Sequence, residues 1–199
     1  TSYFVSITTL CGCGATGVSY STGYSSNGPV PVRTYGFSIN TRVSPAAMPY
    51  CENFESLPTG SMPSYWRSRL ATSTDQNSHG GDKCLRISAG GSIIMRQITD
   101  ANQMRLSLHL YANNEAMMED GAVVVGLMAD PDSANTFTPT DTLHVTALGQ
   151  WQHHVARLGT DADTGRYITL RVAAANGMLY VDDVVVARCA IDSAAVSAS

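Results

Sequence analysis

Histidine, tyrosine and arginine side chains recur at alternating positions, where they could bind a ligand through ring faces and hydrogen bonds. His109 and Tyr111 flank a leucine, and Tyr167 and Arg171 are four residues apart. Such residues lie on one face of a strand, and carbohydrate-binding surfaces combine aromatic rings with polar groups in this way. The candidate ligand-binding residues are His109, Tyr111, His153, Tyr167 and Arg171. The alternative is that they form the ordinary solvent face of strands that are packed on their other side.

The bases and nucleophiles of the sequence do not form a catalytic pattern. No Gly-x-Ser-x-Gly turn accompanies any of the five histidines. Cys84 follows His79 by only five residues, whereas a catalytic cysteine and histidine usually come from distant segments. The carboxylate pair of glycoside hydrolases, which jelly-roll glucanases carry as Glu-x-Asp-x-x-Glu on one strand, is also missing. We therefore predict a protein without catalytic activity.

The spacing of histidine and cysteine gives little support for a metal site of these residues. His153 and His154 are neighbours, so on a regular strand they would point to opposite faces and could not chelate one ion together. The five cysteines include no Cys-x-x-Cys pair, although zinc sites usually show closely spaced ligands in two clusters. The thiols are compatible with an exported protein. Their pairing stays open among Cys11, Cys13, Cys51, Cys84 and Cys189.

The composition describes a folded domain with few charges. Of 199 residues, 44% are hydrophobic and 14% are charged, and the formal net charge is −4. This content can fill a core, but the negative charge provides no basic surface for nucleic acid. The longest apolar run, 122–129, is far shorter than the ~20 residues of a membrane-spanning helix, so we expect no membrane insertion by this segment. No export leader is recognisable at the start of the sequence, and an exported parent protein could have lost one.

Alternation of apolar and polar residues predicts strands through most of the chain. The predicted strands are residues 3–10, 35–40, 85–87, 93–98, 106–111, 123–128, 143–145, 151–158, 167–172 and 178–186. Clusters of Asn, Asp, Gly and Pro separate them, and only residues 114–120 resemble a short helix. Many short strands with turn-rich connections predict an all-β fold of the β-sandwich type.

A domain boundary is predicted near residues 41–50, where the sequence reads Ser-Pro-Ala-Ala-Met-Pro at 44–49. The segment before it has too few strands for a core of its own and is interpreted as the end of a domain that begins outside this chain. The predicted division is a partial β segment with linker at 1–43, a main domain at 49–189 and a tail at 190–199.

An ordered set of short motifs runs through the main domain. It comprises the segments 49–58, 65–66, 79–85, 125–132, 136–139, 150–152, 165–168 and 179–184. The set resembles the jelly-roll module of the cleaved-adhesin or choice-of-anchor type in bacterial surface proteins, a MAM-like and concanavalin-like sandwich seen in gingipain adhesin regions. Residues 1–43 resemble the last strands of a fibronectin type III repeat, which commonly precedes such a module. By the same resemblance, Trp66 and Trp151 are expected in the core.

The resemblance also implies a structural calcium ion where the first strand of the jelly roll meets the last. Calcium prefers carboxylate and carbonyl oxygens. The implied ligands are Glu55, Asp182 or Asp183, and carbonyls of the turn that contains Gly80 and Lys83. Strand alternation would send Asp182 and Asp183 to opposite faces, so we expect at most one of them as a direct ligand. The alternative is that these are surface carboxylates at strand ends.

The predicted function is that of a non-catalytic adhesion or carbohydrate-binding module in a larger bacterial protein that is secreted or displayed at the cell surface. Its expected partners are a glycan or a host-surface protein, together with neighbouring repeats of the parent chain. Two alternatives stay open. The module could be a structural spacer, stabilised by calcium and without a ligand of its own, or an accessory domain that delivers substrate to an enzyme elsewhere in the parent chain.

Overall fold

The alternating segments form antiparallel β-strands in a computed structural model that describes residues 5–9, 16–20, 45–99, 104–118, 123–159 and 166–188. The chain divides into two units, Thr1–Ser44 and Pro45–Ser199. In the first unit β1 (Val5–Thr9) pairs with β2 (Thr16–Tyr20). The strand predicted at 35–40 and the tail at 190–199 lie outside the described residues, and the fibronectin-like identity of the first unit stays a prediction.

The described residues of the second unit form nine strands in one sheet. They are β3 (Tyr50–Glu52), β4 (Arg67–Thr74), β5 (Cys84–Ile94), β6 (Met104–Ala112), β7 (Val123–Met128), β8 (Phe137–Leu143), β9 (Gln152–Arg157), β10 (Tyr167–Val172) and β11 (Met178–Arg188). The hydrogen-bonded order is β8-β7-β10-β5-β11-β6-β9, with β3 paired to β11 and β4 to β5. Among the described residues no helix has the length and apolar character needed to cross a membrane.

A bend in β5 folds this sheet over on itself. Residues Cys84–Ser88 belong to the half that pairs with β11, and Ser92–Ile94 pair with β10. Between them Gly90 has a φ of +70°, a conformation that glycine adopts without strain. At Gly91 a Cβ would lie 2.7 Å from the Ser88 carbonyl oxygen. The two glycines therefore let one strand serve both layers.

The core lies between the two layers and is built by the inward positions of the alternating strands. In β6 every second residue from Met104 to Ala112 is buried. These residues belong to the same core cluster as Val125, Leu127, Ile168 and Leu170 of β7 and β10. Burial of such apolar side chains is the main stabilising contribution in a sandwich. The predicted all-β sandwich is confirmed.

The departures from the predicted strands have local causes. The segments 85–87 and 93–98 are predicted as two strands, but 85–87 and residues 93–94 belong to the one bent strand β5, and residues 95–98 follow it without strand structure. The strand β4 is missed because its first four residues, Arg67–Leu70, are exposed and carry no apolar alternation. Strand β8 contains Pro139, which an edge strand tolerates, and only Leu143 of the predicted 143–145 belongs to it. The predicted helix at 114–120 is a 3-10 turn over Glu115–Met118.

Candidate functional site

A row of aromatic rings crosses the outer face of the sheet formed by β11, β6 and β9. The strand register places Tyr180 beside Tyr111, and their ring centroids are 5.7 Å apart in an edge-to-face arrangement. Trp151, immediately before β9, packs against Tyr111 at 5.5 Å with a tilt of 46°. Tyr111 and Trp151 are half-buried, whereas Tyr180 is covered. The row therefore presents two partly exposed ring faces.

A second row lies next to it and consists of polar groups. Asp182 of β11 is opposite His109 of β6, which in turn is opposite His153 of β9. The two imidazole centroids are 5.1 Å apart. His153 is exposed, and its Nε2 lies 2.7 Å from the Ser107 hydroxyl oxygen. Hydrogen-bonding groups thus flank the aromatic rings.

The turn before β5 adds a third histidine to this surface. The His79 ring stacks on His109, with centroids 3.8 Å apart and an angle of 14° between the planes. It also meets Trp151 at 5.5 Å in an edge-to-face arrangement. We call the continuous surface formed by His79, His109, Tyr111, Trp151 and His153 the aromatic face.

Asp182 fixes the position of that turn. Its Oδ2 accepts hydrogen bonds from the backbone N–H of His79 at 2.9 Å and of Gly80 at 3.3 Å. Its Oδ1 accepts from the N–H of Asp183 at 2.8 Å. Complete burial raises the pKa of the Asp182 carboxyl, and the three N–H donors offset part of that rise. The carboxyl group therefore acts as an anchor for backbone and has no exposed surface of its own.

A β-bulge turns the next residue toward the same place. The register between β11 and β6 shifts between Asp182 and Val185, and Asp183 has a φ of 49°. Its Oδ2 lies 2.7 Å from Nδ1 of His79. The expectation that alternation separates Asp182 and Asp183 is therefore wrong, because a bulge breaks the period of two. Both carboxyl groups contact the turn that carries His79.

Glu55 holds the second half of the turn. Its carboxylate accepts hydrogen bonds from the N–H groups of Asp82 and Lys83 at 2.9–3.1 Å. The Lys83 ammonium donates to the backbone carbonyls of Glu55 and Leu57. These carbonyl and carboxylate oxygens are of the type that calcium takes, but here the carbonyl oxygens accept from the Lys83 ammonium group and the carboxylate accepts from backbone N–H groups. Calcium at Glu55 and Lys83 would have to displace that ammonium group, and its binding stays a prediction.

The remaining two predicted ligand-binding residues lie in the other layer. Tyr167 and Arg171 belong to β10, where they pair with Met128 and Val124 of β7. The Arg171 guanidinium stacks over the Phe137 ring at 3.7 Å from the centroid and donates to the Ala134 carbonyl at 3.2 Å. The five predicted residues therefore form two groups, and only His109, Tyr111 and His153 belong to the aromatic face.

The two tryptophans have different roles. Trp66 is in the core, as expected, where it packs edge-on against Phe54 at 6.0 Å. Trp151 lies outside the core cluster and contacts His79 and Tyr111, so the core expectation is wrong for it. Trp151 and His79 are the two members of the aromatic face that the sequence did not single out as ligand-binding residues.

Burial makes the inner histidines of this region poor bases. It lowers the pKa of His109, with a further decrease from His79 and an opposing effect of Asp183. Burial also lowers the pKa of His154, and the neighbouring His153 adds to the decrease. Both imidazoles are therefore neutral at pH 7. A neutral His109 can stack on His79 without charge repulsion and can use its ring nitrogens as ligands.

Comparison with known proteins identifies the fold. No protein-family profile and no curated protein sequence matches the chain. Among solved structures, the K2 cleaved adhesin domain of Lys-gingipain matches with a TM-score of 0.55 at 15% identity, over 69% of this chain and 98% of that one. The K1 domain of Lys-gingipain from Porphyromonas gingivalis W83 gives 0.56 at 13% identity, over 71% and 99%.

A carbohydrate-binding module is also similar. The C-terminal family 22 module of Xyn10B from Clostridium thermocellum matches with a TM-score of 0.51 at 15% identity, over 70% of this chain and 93% of that one. The chain shares the β-sandwich fold of these modules. Identities this low establish a common fold only. The wider relations to MAM and concanavalin-like domains and to fibronectin type III repeats stay predictions.

Proposed function

We propose that the chain is a non-catalytic carbohydrate-binding or adhesion module whose ligand lies on the aromatic face. The observation that carries the proposal is the juxtaposition of Tyr111 and Trp151 with the exposed imidazole of His153. Three elements that are far apart in sequence, β6, β9 and the turn before β5, meet there.

The chemistry of this surface suits a sugar. The apolar face of a pyranose ring packs against aromatic rings, and its hydroxyl groups need donors and acceptors beside them. Tyr111 and Trp151 provide the rings. Beside these rings, His153 provides an imidazole and Ser107 provides a hydroxyl group. The hydrogen bond between them already orients both groups. A preorganised surface of this kind loses little conformational entropy on binding.

The fold supports the same class of function. The similar solved structures include adhesin domains and a carbohydrate-binding module whose cleft residues are associated with ligand binding. By analogy, the ligand is a glycan or a glycan-bearing surface protein, and the module works outside the cell or at its surface as part of a longer protein. Fold analogy supports a class of function, and the aromatic face supplies the site.

A glycan and matrix-protein array with the purified chain tests the proposal. We expect a reproducible glycan signal whose affinity falls at least about tenfold, roughly 1.4 kcal/mol, in Tyr111→Ala and in Trp151→Ala, because each removes one ring of the face. Tyr167→Ala and Arg171→Ala in the other layer serve as comparison variants and should keep the affinity.

Two results would contradict this assignment. Loss of binding in Tyr167→Ala and Arg171→Ala, with Tyr111→Ala and Trp151→Ala unaffected, would place the ligand on the other layer. A null array with a sample that unfolds cooperatively would favour the structural spacer.

A further inference from the structure

The strongest feature outside the proposed glycan contacts is a group of three ligand atoms at the edge of the aromatic face. Nδ1 of His79 lies 2.7 Å and Nδ1 of His109 lies 3.6 Å from Oδ2 of Asp183. All three ligand atoms fall within 4.8 Å of one another. We infer that His79, His109 and Asp183 form a binding site for a divalent transition-metal ion of the zinc class.

The spacing of these atoms is close to what such an ion requires. Zinc binds imidazole nitrogen and carboxylate oxygen at about 2.0–2.2 Å in tetrahedral geometry, so its ligand atoms are roughly 3.3 Å apart. The observed 2.7 and 3.6 Å lie on either side of that separation. An imidazole nitrogen binds a metal in the plane of its ring, so coordination of one ion by both histidines requires the His79 ring to rotate out of its parallel stack on His109. The His79 and Asp183 side chains are 35% and 38% exposed, which leaves room for this rotation.

The surroundings of His109 are an independent argument for a metal at this position. Its Nδ1 is buried and has no hydrogen-bond partner, although it lies on the side of the ring nearest Asp183. A buried polar atom without a partner is unfavourable. A metal ion between His109 and Asp183 would give this nitrogen a partner.

The surrounding structure holds the three groups in place. Asp183 is positioned by the bulge in β11, and His109 by the register of β6. His79 is positioned by the two hydrogen bonds from its turn to the buried Asp182. Metal sites depend on such supporting contacts for the orientation of their ligands. Only the His79 side chain comes from a turn, so it can close over an entering ion.

The types of donor atom select the ion. Two imidazole nitrogens and one carboxylate suit zinc, copper, nickel or iron, whereas calcium and magnesium prefer oxygen ligands alone. With three protein ligands, a tetrahedral ion keeps one position for water or another small ligand. This site is thus chemically distinct from the oxygen-rich surroundings of Glu55 and Lys83.

Titration calorimetry of the tag-free chain with ZnCl2 tests the inference. Accessible thiols are first blocked with N-ethylmaleimide, because exposed cysteines such as Cys51 could also bind zinc. We expect one zinc ion per chain and an increase in melting temperature that CaCl2 does not reproduce. His79→Ala and the isosteric Asp183→Asn should each lower the zinc affinity at least about tenfold. His144→Ala removes an exposed histidine outside the group and should leave the affinity unchanged.

A Co²⁺ absorption spectrum of the same samples separates this site from adventitious binding. The expected spectrum is tetrahedral without a sulfur-to-cobalt band, and it should be lost in His79→Ala. Melting temperatures in metal-free buffer verify that both variants fold. The inference is overturned if the wild-type chain binds no zinc, if folded His79→Ala and Asp183→Asn bind as tightly as wild type, or if the bound cobalt has sulfur ligands. The outcome is independent of the glycan array, which varies Tyr111 and Trp151.

Discussion

At the scale of single residues, Tyr50 connects the short strand β3 to the core. The Trp66 indole N–H donates a hydrogen bond to the Tyr50 hydroxyl oxygen at 3.0 Å, and the Tyr50 hydroxyl contacts Glu52 at 3.4 Å. Burial raises the pKa of Tyr50 from 10.0 to about 12, and the Glu52 carboxylate adds to the increase. The neutral phenol is therefore the form that the folded state prefers.

Tyr50→Phe should lower the stability at neutral pH and change its dependence on alkaline pH. The loss of the acceptor for Trp66 should reduce the free energy of unfolding by about 1 kcal/mol. Since the folded-state pKa is raised, the contribution of the wild-type phenol is complete below about pH 10 and is lost as the pH rises toward 12. Urea denaturation at pH 7, 9, 10 and 11 measures both effects. An identical alkaline slope in the two proteins would contradict this account of Tyr50.

At the scale of elements, the turn before β5 completes the aromatic face. It brings His79 onto His109, and it is held by carboxylates from both ends of the second unit, Glu55 and Asp182. Gly81 has a φ of +71°, and a Cβ there would lie 2.5 Å from the Glu55 Cδ. The turn therefore requires glycine at this position for its conformation and for space.

Gly81→Ala should lower the free energy of unfolding more than Gly60→Ala does. Both positions have positive φ, but a Cβ at Gly60 meets nothing within 4 Å. The variant at Gly60 therefore measures the conformational penalty, about 1 kcal/mol. The variant at Gly81 adds the steric overlap with Glu55, of order 1–3 kcal/mol. Urea denaturation gives the two values, and equal losses would show that Glu55 moves aside without cost.

At the scale of the whole molecule, the calcium prediction concerns how the beginning and end of the second unit are held together. The backbone carbonyl oxygens of Glu55 and Leu57 already accept hydrogen bonds from the Lys83 ammonium group. A bound calcium ion would stabilise the fold by mass action, about 2.7 kcal/mol at a hundredfold excess over its dissociation constant. Competition between the two cations is therefore the property to measure.

If calcium binds at Glu55, a chelator should lower the melting temperature, and Glu55→Ala should abolish that sensitivity. Lys83→Ala should bind calcium more tightly than the wild-type chain, because the competing ammonium group is gone. Melting curves with CaCl2 or EGTA compare the three proteins. If neither reagent changes the wild-type or Lys83→Ala curve, calcium has no part in this fold and Lys83 is the resident cation.

Much of the fold could be predicted from local pattern because each inward-facing strand position is apolar. The segments 123–128 and 167–172 coincide with β7 and β10, and alternation in β6 marks both its core face and the positions of His109 and Tyr111. An edge strand such as β4 is not predicted from this pattern, because its exposed residues need not be apolar. The bend in β5 could not be predicted from the pattern either, because two adjacent glycines are as compatible with a turn between two strands as with a bend within one strand.

The sequence by itself determined the all-β class and three members of the aromatic face, since both depend on the period of two along a strand. Tertiary structure decided the rest. Strand register placed Trp151 beside Tyr111, and hydrogen bonds from a turn to Asp182 placed His79 on His109. A single bulge moved Asp183 toward both histidines. Contacts between residues so distant in sequence depend on register and bulges, which pattern along the chain does not encode.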